Sequence, residues 1–179
     1  LANGTTTALV FATSSANSVD AFFAESLRRN LRMVSGKVLM DRHAPAELCD
    51  TAQSAYDDPT ALIDKWRGQG RLGYAVTPRF APTSTEAQLE VAGALIKENS
   101  DAYLHTHLSE NVDEIAWVAE LFPEQQGYLD TYDHHGLVTD RSVFAHGIHL
   151  NDAELQRLHE CGSAVCHCPS SNLFLGSGL

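Results

Sequence analysis

Six times along this chain a short apolar or β-branched run gives way to a stretch with helical spacing, and that alternation restricts the fold more than any other feature. The runs are residues 4–12, 31–40, 71–76, a segment ending at His105 or His107, 141–146 and 163–168. Strands alternating with helices predict a parallel sheet with right-handed crossovers, because each helix must pack back on the sheet before the next strand begins. A complete (β/α)8 barrel takes about 250 residues. With 179 residues and six units, the sequence predicts an α/β fold of a partial TIM-type barrel, one domain over 1–179, two units short of closure. An open doubly wound sheet is the rival, but no glycine-rich phosphate-binding turn follows the first strand.

The intervening segments carry their own signals. Val19, Phe22, Phe23, Leu27 and Leu31 recur at helical spacing after Ser18. Residues 41–59 read as a loop with a short helix within 45–56, and a further helix is placed over 59–68 with Pro59 in its first turn. Ser84 is placed as the cap of a helix reaching Asn99. Glu110 is placed at the opening of the next helix, which Phe122-Pro123 stops, and residues 128–132 read as a short one. Asn151 opens a helix that closes at Cys161-Gly162. No helix is placed after the sixth strand, and 174–179 reads as loop.

The chain starts at Leu1 without a Met, runs straight into a strand, and closes inside that loop, so both ends are expected to be cut. A barrel lacking two units would expose two strand edges and apolar helix faces, which predicts self-association as a homo-oligomer, a dimer in the simplest case. Hydrophobic residues at 44% and charged residues at 20% are ordinary globular composition. A net charge of -11 argues against nucleic acid as a partner. No apolar run approaches the ~20 residues that span a bilayer, and no secretory signal opens the chain, so a cytoplasmic setting without membrane contact is expected. Cys49, Cys161, Cys166 and Cys168 do not form the spread framework of a small secreted domain. A zinc knuckle lacks its Cys-Xaa2-Cys hook, so reduced thiols packed in and around a strand are expected.

Chemistry concentrates at strand ends. His107, His146 and His167 each close a strand, and in a parallel barrel those ends build the active site. Neutral imidazole is a good zinc ligand, so three at equivalent positions point to a metal centre at one rim. His105 and His107 face the same side of an ideal strand; they either chelate one metal together, or His105 packs inside the barrel. His149 is a secondary candidate beside His146, whereas His43, His134, His135 and His159 read as solvated surface. Glu110, three residues beyond His107, is either a carboxylate favoured by a helix N-terminus or a proton shuttle beside metal-activated water. Arg79 follows the third strand with a planar fork suited to a carbonyl or carboxylate. Phe80 is either an apolar wall or an aromatic plug under the loop bracketed by Pro78 and Pro82.

The stretches 1–7, Thr77-Pro78-Arg79-Phe80-Ala81-Pro82-Thr83, His107-Leu108-Ser109-Glu110-Asn111, Phe144-Ala145-His146-Gly147 and His167-Cys168-Pro169-Ser170-Ser171-Asn172-Leu173 together resemble the amidohydrolase superfamily, and within it the guanine deaminases. The resemblance implies hydrolytic deamination of guanine to xanthine and ammonia, with zinc as cofactor. It implies that His107 ligates the zinc from the fifth barrel strand. It also implies that His146 hydrogen-bonds the attacking water or the substrate, and that Glu110 shuttles the proton. Arg79 and Phe80 would hold the guanine, Arg79 at its carbonyl oxygen, with His107 and Glu110 also against the substrate. His167 and Asn172 would shape the rim of the seventh strand.

The sequence departs from that pattern in three places. No His-Xaa-His pair precedes Leu1, the Asp expected at the end of the eighth strand would lie beyond Leu179, and the terminal β-sandwich has no counterpart. His105-Thr106-His107 stands on the wrong strand to be that pair. One of four metal ligands remains, so the polypeptide alone is expected to bind zinc weakly and to have little deaminase activity. Rival readings are another amidohydrolase acting on aminopurines, pyrimidines or triazines, and a non-catalytic barrel piece that self-associates.

Overall fold

A computed structural model describes residues 2–178; Leu1 and Leu179, where the sequence suggests cut ends, lie outside them. The strands are β1 (Thr7–Phe11), β2 (Arg32–Gly36), β3 (Val38–Leu39), β4 (Gly73–Pro78), β5 (Tyr103–Leu108), β6 (Ser142–His146) and β7 (Ala164–Cys166). The helices are α1 (Ala16–Arg28), α2 (Ala52–Trp66), α3 (Glu86–Glu98), α4 (Val112–Leu121), α5 (Tyr128–His134), α6 (Asp152–Cys161) and α7 (Pro169–Leu175). Every strand pair is parallel, in the order β1-β2-β4-β5-β6-β7, with β3 continuing β2 and pairing with β4. Because this order follows the chain from edge to edge, the sheet has none of the reversals that define a doubly wound fold. It is the partial barrel the alternation predicts.

β5 shows how the pattern becomes a wall. Leu104 and Leu108 join Phe144, Val76, Leu89, Val118 and Phe122 in one buried cluster between sheet and helices. Each fully buried side chain of this kind contributes about 1.5–3 kcal/mol. His105 and His107 point to the opposite face, where the Phe11 ring lies with centroids 4.0 and 4.5 Å from theirs. β5 is therefore covered on both faces, as a strand in a parallel sheet must be. Its register against β6 pairs His107 with Ala145 and Leu108 with His146, bringing the two histidine-bearing ends to one level.

Several boundaries differ from the sequence reading. α2 runs straight through Pro59, because Thr51 and Ser54 form a reciprocal capping box that starts it seven residues earlier. Ala55, Leu62, Ile63 and Trp66 bury one face of α2, which offsets the hydrogen bond that the proline removes. Thr85, not Ser84, caps α3, with Asp41 accepting the Thr85 main-chain N–H at 2.8 Å. Asn111 caps α4 by accepting from the Asp113 N–H, so Glu110 lies before the helix and not within it. β7 is followed by α7 after all: Pro169 sits in its first turn and Gly176, with φ of +70°, closes it. All four cysteines are free, but Cys166 is exposed on the outer strand rather than packed.

Candidate active site

The C-terminal ends of β4, β5 and β6 bring Arg79, Phe80, His107, Glu110 and His146 together, and His107 is the best-determined of them. Its Nδ1 lies 2.7 Å from the Arg79 carbonyl oxygen. A carbonyl can only accept, so Nδ1 carries the proton and the lone pair is left on Nε2, the tautomer that a metal ligand requires. The His107 main-chain N–H and the Thr106 hydroxyl donate to the same oxygen, both at 3.3 Å. Burial is the largest reason that the pKa of His107 is lowered to about 4, which keeps the ring neutral at physiological pH.

The His146 ring stacks on that of His107, with centroids 5.3 Å apart and 21° between planes. Its Nδ1–H donates to Asn172 Oδ1 at 2.8 Å, and its Nε2 lies 3.4 Å from Glu110 Oε2. The other Glu110 oxygen is buried without a hydrogen-bond partner. Buried carboxylate oxygens are nearly always paired, so an unpaired one beside the strand-end histidines is free to accept a further hydrogen bond. His146 has φ of +72° and Ser109 has φ of +48°. Non-glycine residues hold such angles at a cost of about 1–3 kcal/mol, where their surroundings over-determine them. Here Gly147 N–H donates to Leu108 O at 2.8 Å, and Ile148 and His149 N–H groups donate to Ser109 O at 3.1 and 3.2 Å.

Arg79 is exposed, with its guanidinium 4.8 Å over the Phe80 ring, and Phe80 is half-buried, edge-on to both His107 and Trp117 at 6.4 Å. A cleft of 380 Å3 opens beside them, lined by Phe11, Ala12, Met40, Arg79 and His107 among others, within the size range of small-molecule sites. His105 is 5% exposed, its Nδ1 is unpaired, and its pKa is lowered to about 4, chiefly by burial, so it belongs to the barrel interior. Among the described residues no three metal-ligating side chains cluster. His107 has the protonation and free nitrogen that zinc requires; His146 shares that tautomer but turns its Nε2 toward Glu110 Oε2 at 3.4 Å.

Other sequence candidates fall away. His167 is exposed and makes none of these contacts. His149 Nε2 lies 2.9 Å from the Ser177 carbonyl and ties down the stretch after α7. His43 is not free surface: its Nδ1 lies 2.7 Å from Pro82 O and its ring packs 5.0 Å from Trp117. His135 is half-buried, and burial lowers its pKa. Sequence reasoning missed two participants, Phe11 and Glu114, and gave a third, Asn172, only a place on the rim. Phe11 packs on both β5 histidines across the sheet. Asn172 orients His146 from 26 residues away. Burial holds the Glu114 carboxyl above the ordinary range, with Glu110 adding repulsion. None of these has a local spacing signal, because each acts through the strand order.

The chain belongs to the amidohydrolase family, whose profile matches residues 1–179. Within that family, the guanine deaminase of Escherichia coli K12 is 54% identical over 179 residues, all of this chain and 41% of the relative. A solved structure of E. coli guanine deaminase superposes with a TM-score of 0.98 at 54% identity, covering 100% of this chain and 42% of that one. Guanine deaminase from C. acetobutylicum, solved with guanine in its active site, gives 0.95 at 31% identity over 99% of this chain and 42% of that one. An adenosine deaminase from Xanthomonas campestris, solved with bound zinc, gives 0.77 at 28% identity over 92% of this chain and 36% of that one. The chain thus spans about two fifths of the length of the curated relative that it matches at 54%. Among the described residues no helix is long and apolar enough to cross a membrane.

Proposed function

We propose that residues 1–179 form the substrate-clasping and proton-handling part of a zinc-dependent aminohydrolase that converts guanine and water to xanthine and ammonia. The observation that carries this reading is the convergence at one rim of a neutral, Nδ1-protonated His107 with an unpaired Glu110 oxygen and the Arg79–Phe80 loop. Likeness to guanine deaminases along the whole chain supports the choice of substrate.

In this reading Arg79 donates to the carbonyl oxygen of guanine, and Phe80 presents its ring as an apolar wall for the planar base. Zinc, when bound, would be held on this chain by Nε2 of His107 and would supply the acidity that lets water act as a nucleophile at neutral pH. Glu110 accepts the first proton that water loses and passes it to the ring nitrogen, then carries the remaining proton of the added hydroxyl to the amine, which leaves as ammonia. His146, its Nδ1–H fixed on Asn172, offers Nε2 to the attacking water or the substrate. With one metal-ligating candidate, the polypeptide by itself is expected to hold zinc weakly and to turn over little guanine. The setting this reading implies is the cytoplasm.

A chimera tests it. Residues 1–179 replace the matching segment of the E. coli relative, and the product is assayed on guanine, adenine, 2,6-diaminopurine and a chlorotriazine. Xanthine formation that Glu110→Gln abolishes is the expected result. A folded, zinc-loaded chimera that prefers another substrate overturns the assignment.

A second reading rests on the outer edge. Val165, Leu173, Phe174 and Leu175 are 42%, 62%, 89% and 61% exposed along β7 and α7, an apolar surface that favours association with a second copy. Light scattering decides it, and a monomer at high concentration overturns it.

A further inference from the structure

Tyr132 lies on α5, an element to which the proposed reaction gives no part, and it is fully buried. Its hydroxyl lies among three groups from the two halves of the site. It donates to the His107 main-chain carbonyl at 2.9 Å, because a carbonyl can only accept. With its one proton so committed, the oxygen accepts the Ala81 N–H at 2.9 Å and sits 3.2 Å from the Thr106 hydroxyl. Ala81 is the residue after Phe80, so the hydroxyl clamps the Arg79–Phe80 loop to the strand end that carries His107. The Arg79 carbonyl, gripped by the His107 ring and by Thr106, is the second link between the same two segments. The ring of Tyr132 packs against Tyr128 and Phe144, with centroids 5.6 and 5.9 Å away, so it enters the clamp already fixed in place.

We infer that Tyr132 is a positioning residue, whose hydroxyl sets the distance between the substrate-holding loop and the metal-ligating imidazole. This rests on the proposed roles of His107, Arg79 and Phe80. The link itself is a hydrogen-bond arrangement of this chain and needs no turnover to be observed. Bulk packing does not account for it: the Tyr132 hydroxyl bonds main-chain groups of both segments, whereas that of Tyr128, also buried and on the same helix, faces the Glu114 and Tyr132 side chains.

Tyr132→Phe keeps the ring and removes the link, and Tyr128→Phe is the matched control. The first readout is the two-bond proton–nitrogen spectrum of His107 in the 15N-labelled 179-residue chain at fixed neutral pH. Wild type and Tyr128→Phe are expected to show one tautomer with the proton on Nδ1. Tyr132→Phe is expected to lose that single-tautomer signature while the rest of the spectrum stays native. An unchanged His107 signature overturns the inference. If Tyr132→Phe does not fold, the wild-type spectrum still decides. A slowly exchanging Tyr132 hydroxyl proton with a cross-peak to the Ala81 amide supports the clamp, and its absence overturns it. In the guanine-hydrolysing chimera, Tyr132→Phe is expected to lower kcat by about tenfold and to raise KM for guanine, because small misplacements of reacting groups carry large penalties. Tyr128→Phe, which leaves the main-chain link of Tyr132 to Ala81 and His107 in place, is expected to change both far less. An inactive chimera counts against the proposed function and leaves the spectroscopic result standing.

Discussion

Replacing His105 with leucine isolates the energetic consequence of burying an imidazole inside the barrel. His105 is 5% exposed, sits 4.0 Å from the Phe11 ring, and has no partner for Nδ1. Burial first, and the neighbouring His107 second, lower its pKa from 6.5 to about 4. The folded protein therefore binds fewer protons at this site than the unfolded chain does between those values. Its contribution to stability is complete above pH 6.5, falls as the pH drops below that, and stops changing below about 4. The whole interval corresponds to about 3 kcal/mol at about 1.4 kcal/mol per pH unit, and about 2 kcal/mol of that falls between pH 7 and pH 5. His105→Leu keeps an apolar group of similar size against Phe11 and removes the titration. At pH 7 the variant is expected to be at least as stable as wild type, because an unpaired buried nitrogen is removed along with the ring. Urea unfolding at pH 7 and pH 5, with a chelator present and with m-values compared, measures the difference. Wild type should lose about 2 kcal/mol more than the variant over that range. His107 titrates in both proteins and largely cancels. Parallel pH profiles would show that His105 is not held neutral by burial, and the placement of the ring inside the barrel would have to be abandoned.

Asn172→Ala removes the 2.8 Å acceptor of His146 Nδ1 from a fully buried position. A loss of about 1–3 kcal/mol is expected, with faster amide exchange through α7; unchanged exchange there would mean that the bond does not hold the helix. Gly36→Ala places a Cβ 1.8 Å from the Ala75 carbonyl oxygen, a main-chain atom that cannot rotate away. That variant should lose about 3 kcal/mol or more in denaturant unfolding, and wild-type stability would mean that β2 and β4 are not in this register. Dialysed chain assayed for metal by atomic emission should carry far less than one zinc per polypeptide, since no trio of ligands clusters among the described residues. Stoichiometric zinc that survives dialysis would show that other side chains join His107.

The sequence by itself determined the class of fold and the strand ends on which chemistry could sit. Alternation of strand and helix is a local property, written in residue types at periods of 2 and 3.6, so β5, β6 and the positions of His107 and His146 could be placed without coordinates. Capping could be read in the same local way at Asn151, whose side chain forms a reciprocal box with Glu154. Pro59 was harder, because a proline reads as a helix start, and the capping box at Thr51 together with the burial of Leu62, Ile63 and Trp66 shows that the helix passes through it. Which histidines share a site could not be read from spacing at all. His105 and His107 are two residues apart on one face, yet one is enclosed beside Phe11 while the other turns its Nδ1–H to the Arg79 carbonyl. His146 found its partner in Asn172, and His167, with the same strand-end credentials, found none. Those outcomes depend on strand order and register, which bring residues tens of positions apart within hydrogen-bonding distance. Sequence distance carries no information about such pairs; the closing of the sheet into a partial barrel decided them.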